Sequence, residues 1–181
     1  MKYLLLIFAL IASTQLTAQE KYKKFTDKDT KQLIYQGQVT FNDLATEPDF
    51  VWYKAGIKGY QPNKDVVSEL AAALKQYNIK PVVFMGTWCD DTHILLPKFY
   101  NVLQACNYPA SKVTMYALDM EKKGKDGEEL KYHVTRVPTF ILLDGQKEIG
   151  RITETVDESM ETDMLRIILD YVANDMEEPE E

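Results

Sequence analysis

Two cysteines, two histidines and eight glycines are all that this 181-residue chain carries of those types, and each scarcity removes a class of function. No glycine-rich loop is present to cradle a phosphate, and neither histidine falls in a Ser/His/Asp pattern, so nucleotide chemistry and serine-type hydrolysis have no support. His93 and His133, taken with Asp90, Asp91 and Cys89, fit no closed zinc pattern, and one sulfur beside acids makes a poor structural site. No metal and no cofactor is therefore expected. The formal charge is −7 and no stripe of basic and aromatic residues runs along the chain, which disfavours nucleic acid and anionic membranes as partners. No uninterrupted apolar stretch approaches the ~20 residues that span a bilayer.

What is present begins with an export signal. Lys2 supplies a positive start, Leu4 to Ala12 an apolar centre, and Ser13 to Ala18 a polar approach to a small residue, so residues 1–18 read as a signal peptide cleaved before Gln19. Export to the periplasm or beyond the cell follows, with no membrane attachment after cleavage. The mature chain keeps 20 basic and 28 acidic side chains, a formal charge of −8. With 45% hydrophobic content, it has room for one core. Residues 19–62 form an N-terminal extension, residues 63–173 the main domain, and residues 174–181 a solvated acidic tail. The oligomeric state is not legible.

Lys21 to Thr30 is charged and reads as a flexible lead-in. A strand signal follows from Gln32 to Phe41, then an aromatic stretch with Phe50, Trp52, Tyr53 and Tyr60. These rings either cap an edge of the core or line a substrate groove. Pro62-Asn63 opens a helix with Val66, Val67, Leu70, Ala71, Leu74 and Tyr77 on one face. Pro81 to Met85 is a continuous apolar run that suits a strand buried on both faces. The helix from Asp90 buries Leu95, Leu96, Phe99, Val102, Leu103 and Cys106. A strand over Val113–Leu118, a short helix over Asp126–Tyr132, and a hairpin of Thr139–Leu143 with Glu148–Thr153 come next, before a closing helix from about Asp157 to Val172. Strands that alternate with helices predict an α/β fold whose mainly parallel sheet is covered on both faces and ends in an antiparallel hairpin.

The chemistry concentrates where the apolar run meets the helix, at Gly86-Thr87-Trp88-Cys89-Asp90-Asp91-Thr92. First-turn N–H groups lack intrahelical acceptors and the helix dipole is positive there, which favours a thiolate. Asp90 and Asp91 oppose it: unit charges 4 Å apart repel by about 1 kcal/mol in water and about 4 kcal/mol at an effective dielectric of 20, against a dipole contribution of ~0.3–1 kcal/mol. They either modulate the cysteine or stabilise the helix start. Cys106 lies 17 residues further on, about 25 Å along one helix, well past the ~7 Å limit for a disulfide. Both thiols are thus expected to be free, with Cys106 acting as a small core hydrophobe.

The ordered set of strand-then-Trp88-Cys89, Pro97 inside the following helix, Val137-Pro138-Thr139 opening a strand, and the Asp144-Gly145 hairpin resembles the thioredoxin superfamily over roughly Pro81 to Val172. Within it, the site looks most like secreted bacterial thioredoxin-like proteins with a Trp-Cys-x-Asp-Ser/Thr sequence. The resemblance implies a thioredoxin-like fold, Cys89 as nucleophile, Trp88 as an apolar rim, and Pro138 as a cis-proline that holds the Val137 backbone as a substrate platform. Two departures matter. Thr92 stands where the family's second cysteine would be, and Val83 where many members carry a buried acid. With Thr92 as a local hydrogen-bond partner and no internal resolving thiol, single-cysteine exchange of isomerase or mixed-disulfide type, with protein thiols, disulfides or small thiols as partners, is the implied activity. The alternative is a redox-silent binding module on the same fold. Arg136 offsets the acids, binds a carboxylate or remains a surface arginine.

Overall fold

The computed structural model describes residues 20–177; the expected signal peptide, and residues 178–181 of the expected tail, lie outside them. The central strand is β3, Lys80–Met85. Its side chains alternate between two cores: Val83 and Met85 join one apolar cluster, while Val82 and Phe84 join the other. Five consecutive buried residues, Pro81–Met85, with apolar side chains on both pleats can only sit inside a sheet.

Around β3 run β1 (Tyr22–Thr26), β2 (Leu33–Val39), β4 (Thr114–Ala117), β5 (Thr139–Asp144) and β6 (Lys147–Thr153), in the spatial order β1-β2-β4-β3-β5-β6. The helices are α1 (Phe41–Thr46), α2 (Val51–Gly59), α3 (Lys64–Gln76), α4 (Asp90–Ala105), α5 (Glu128–Lys131) and α6 (Met160–Glu177). The expected strands, helices and hairpin of the main domain are present, and the α/β class stands.

Three features correct the expectation. The sheet is mixed and mostly antiparallel, since β3 and β4 are parallel but β1–β2, β2–β4, β3–β5 and β5–β6 are antiparallel. Alternation of strands with helices gives parallel pairs only when each connection crosses the sheet. The segment between β4 and β5 does not cross it: Met85 pairs with Ala117, Phe84 pairs with Thr139, and the chain therefore leaves and re-enters at one end. Its helix α5 has four residues and reaches about 6 Å, against about 20 Å for a six-residue strand.

The two faces are also covered unequally. The buried hydrophobic residues of α1, α2, α3, α4 and α6 belong to one cluster, whereas the other is closed by the segment carrying Leu118, Tyr132, Val134 and Val137. Finally, Lys21–Thr30 is not a loose lead-in. Tyr22–Thr26 pairs antiparallel with β2 along its whole length, from Tyr22 opposite Gly37 to Thr26 opposite Leu33, and its lysines suit an exposed sheet edge. At the C-terminal end α6 continues to Glu177, into the stretch expected to be a solvated tail.

The extension is bound into the main domain by α2 and α4, which lie side by side and run in the same direction. Trp52 stacks on His93 at 4.2 Å, a Cβ on Gly56 would come within 2.6 Å of Pro97, and the Asn101 side-chain amide donates to the Ile57 and Tyr60 carbonyls, both at 2.7 Å. Only glycine allows α2 this close to the proline ring. The start of α2 thus lies beside the start of α4.

Candidate functional site

Cys89 is the N-cap of α4, with φ −93° and ψ 123°. Its N–H donates to the Gly86 carbonyl at 3.1 Å, and its own carbonyl accepts from the His93 N–H at 3.1 Å, so the loop turns directly from strand to helix. Gly86 has no room for a side chain: a Cβ there would lie 2.8 Å from the Trp88 ring. The ring is fixed by its indole N–H, which donates to the Leu118 carbonyl at 3.0 Å. Trp88 therefore packs over the strand end, half-buried, beside the cysteine.

The Cys89 thiol donates to the Val137 carbonyl at 3.4 Å. That bond needs the S–H proton, so it belongs to the thiol form. The Val137–Pro138 peptide bond is cis, and Cys89 and Val137 pack in the same apolar cluster. The cysteine named from the sequence and the Val137-Pro138 segment are thus brought together, although 48 residues separate them. Cys89 is only 9% exposed.

Thr92 is fully buried, but its hydroxyl accepts from the Gly86 N–H at 3.3 Å rather than meeting the sulfur; no hydrogen bond joins it to Cys89 among the described residues. It braces the turn. A side chain at the third helical position has a choice between the N-cap side chain and the backbone before it, and the unpaired Gly86 N–H is the donor in reach. The Asp90 side chain is 97% exposed, 3.9 Å from His93, and Asp91 is exposed as well; both acids face water at the helix start. Arg136 pairs with Glu154 at 3.1 Å and does not offset them.

Cys106 caps the other end of α4, and both cysteines are free. Its thiol donates to the Val67 carbonyl at 3.7 Å and borders a cavity of about 430 Å³ between α3 and the segment after α4. Burial first, and then the Glu161 carboxylate, push its pKa up to about 11. At 8% exposure it is as buried as Cys89. They differ instead in helix end: Cys89 stands at the positive terminus and Cys106 at the negative one.

Sequence reasoning missed the residues that hold the cysteine loop. The buried Thr87 hydroxyl donates to the Leu33 carbonyl at 2.9 Å and accepts from the Tyr35 N–H at 3.2 Å, which ties the loop to β2. His93 Nε2 lies 2.8 Å from the Thr87 carbonyl oxygen and takes the donor role there, while Trp52 stacks on its ring. A lone threonine between Gly86 and Trp88 has no periodic signature that marks it as a clamp. Among the described residues, no three His, Cys, Asp or Glu side chains converge as a metal site would require, and no helix is long and apolar enough to cross a membrane.

Strand, turn and N-cap cysteine, facing the segment that opens the next strand, define an α/β domain with a sulfur at the start of its central helix. The chain belongs to the thioredoxin family, whose model, described as Thioredoxin, matches residues 63–166. Membership points to thiol–disulfide redox chemistry and to thiol or disulfide protein substrates. No curated protein sequence matches the chain. Among solved structures it is similar to oxidised thioredoxin O2 from Arabidopsis thaliana, at 22% identity over 61% of this chain and 85% of that one, with a TM-score of 0.35. A protein of unknown function from Pseudomonas aeruginosa shares 13% identity over 75% of this chain and 96% of its own, with a TM-score of 0.34.

Proposed function

We propose that this is an exported thioredoxin-family protein that carries out single-cysteine thiol–disulfide exchange through Cys89, in the periplasm or outside the cell. One observation carries the reading: the Cys89 sulfur sits at the N-terminus of α4, 3.4 Å from the Val137 carbonyl, while the position one turn on holds Thr92 and the other sulfur lies at the far end of the helix. One sulfur is presented and none is near enough to resolve it. The pattern of residues 1–18 supports export.

The Cys89 thiolate attacks one sulfur of a substrate disulfide. A bond forms between the two sulfurs, the substrate S–S bond breaks, and the leaving sulfur takes up a proton. The mixed disulfide stands until a second thiol, on the same substrate or on a small thiol, attacks it, forms a new disulfide and releases Cys89. When that thiol belongs to the substrate, no electrons are gained or lost overall and the outcome is isomerisation. Trp88 supplies the apolar rim and the Val137-Pro138 backbone the platform for a substrate chain, with Asp90 and Asp91 adding negative charge at the entrance.

The 9% exposure of Cys89 favours a second reading, a binding module that keeps the fold without turnover. Refolding of a scrambled disulfide protein separates them. The mature wild-type chain restores native disulfides and Cys89→Ser does not. Absence of turnover in wild type, with partner binding unchanged in Cys89→Ser, supports the binding module instead.

A further inference from the structure

The cavity beside Cys106 lies far from Cys89, because α4, with its 16 residues, holds the two cysteines about 24 Å apart. Its walls are two closed helix ends. The Ile79 N–H donates to the Leu74 carbonyl at 3.2 Å and the Tyr108 N–H to the Leu103 carbonyl at 2.8 Å, each across a left-handed asparagine, Asn78 at φ 48° and Asn107 at φ 51°. The Tyr108 hydroxyl then donates to the Ile79 carbonyl at 2.9 Å, which ties one wall to the other. The space between them, about 430 Å³, falls within the ~300–1,000 Å³ of small-molecule sites. Its floor of Leu74, Ile79 and Cys106 is buried. Its exposed rim carries two cations from separate elements, Lys75 in the last turn of α3 and Lys112 at the end of a one-turn 3-10 helix, Ala110–Lys112. Among the described residues no acid lines the cavity, and neither lysine has an ion-pair partner.

We infer that this cavity binds a free amphipathic anion, a carboxylate on a single apolar chain, with the chain over Leu74 and Ile79 and the head between Lys75 and Lys112. The protein has a formal charge of −7, so most of its surface repels anions. Two cations that reach one opening with no carboxylate to neutralise them make a local exception. The apolar floor alone would suit a neutral ligand, and the lysines alone a simple anion; together they select a molecule that has both parts. The walls are fixed by their own hydrogen bonds, so the ligand meets a preformed space and little ordering opposes its binding. The Cys106 thiol is occupied by the Val67 carbonyl and takes no covalent part. The site is independent of the thiol–disulfide chemistry read at Cys89.

The test titrates the mature protein with sodium octanoate, below its micelle concentration, by calorimetry and locates the binding by hydrogen exchange. Octanoate binds one to one and slows exchange in peptides covering residues 71–79 and 106–112, with no change around Cys89. 1-Octanol, the same chain without the charge, and acetate, the head without the chain, each bind at least fivefold more weakly. In Lys75→Gln/Lys112→Gln, both positions exposed, octanoate affinity also falls at least fivefold, as the loss of charge-assisted contacts to the head requires. Absence of octanoate binding, slowed exchange at other peptides instead, or a smaller difference in any of these comparisons overturns the site. Phosphatidylglycerol vesicles leave exchange in the same peptides unchanged. Slowing by vesicles equal to that by octanoate would put a membrane surface against the rim and overturn the assignment of a free ligand.

Discussion

Thr87→Val removes a hydroxyl while keeping nearly the same shape. The wild-type hydroxyl serves two backbone groups of β2 at once, the Leu33 carbonyl at 2.9 Å and the Tyr35 N–H at 3.2 Å. A buried backbone group left without a partner costs about 1–3 kcal/mol. Tyr35 is fully enclosed, while Leu33 is half-buried and lets water reach its carbonyl, so the combined loss is about 2–4 kcal/mol. Thr87→Ser keeps both hydrogen bonds and loses one methyl group, for about 1 kcal/mol. Urea unfolding of the mature chain gives the comparison directly, with equal m-values required before midpoints are converted. If Thr87→Val is as stable as Thr87→Ser, the hydroxyl does not tie the cysteine loop to the extension.

Tyr53 is 1% exposed and its hydroxyl has no hydrogen-bond partner among the described residues; Tyr53→Phe is therefore expected to stabilise the protein by about 1 kcal/mol, read as a higher urea midpoint. Lys24 first, and then the Tyr35 hydroxyl, hold the Glu47 carboxyl below the ordinary glutamate range. A lowered folded pKa contributes stability that is present above the unfolded value and disappears as the pH falls through the folded one. Glu47→Gln accordingly destabilises the protein at pH 7, and the gap to wild type closes as the pH drops below the ordinary glutamate range; a gap independent of pH contradicts the assignment. In Thr92→Cys the introduced thiol, three positions along the helix from Cys89, forms a disulfide with it on mild oxidation, at a cost of about 1 kcal/mol in the reduced protein for the acceptor lost to the Gly86 N–H. Both thiols remaining free in the oxidised, folded variant would refute the site geometry.

Much of the main domain could be read from spacing alone, because burial imposes it. The apolar run at Val82 to Met85 must fill two cores, and the stripe from Leu95 to Leu103 must face one. The direction of β5 could not be read, since it depends on whether residues 118–138 cross the sheet, and no periodicity encodes that. β1 was hidden for a related reason: its residues after Tyr22 are exposed, so main-chain pairing holds it and its side chains record nothing. Cys89 could be read from the junction of an apolar run with a helix start, whereas Val137-Pro138 came only through family resemblance. The orientation of Thr92 could not be read, because either the sulfur or the Gly86 N–H could have claimed its hydroxyl. Trp52 and His93 meet only through the parallel packing of α2 on α4, a tertiary fact that two isolated residues in the sequence cannot announce.

The most direct measurement is peptide mapping of the folded mature protein after brief exposure to oxidised glutathione at pH 8. The two cysteines are equally buried, but Cys106, with its pKa pushed up to about 11, is ionised only to about one part in a thousand there, and it lies at the wrong end of α4 for a thiolate. One glutathionyl group on the peptide that contains Cys89, with Cys106 unmodified until the protein is denatured, is the expected result. Modification of Cys106 first, or of neither cysteine while the denatured chain reacts at both, would contradict the assignment of Cys89 as the exchanging sulfur.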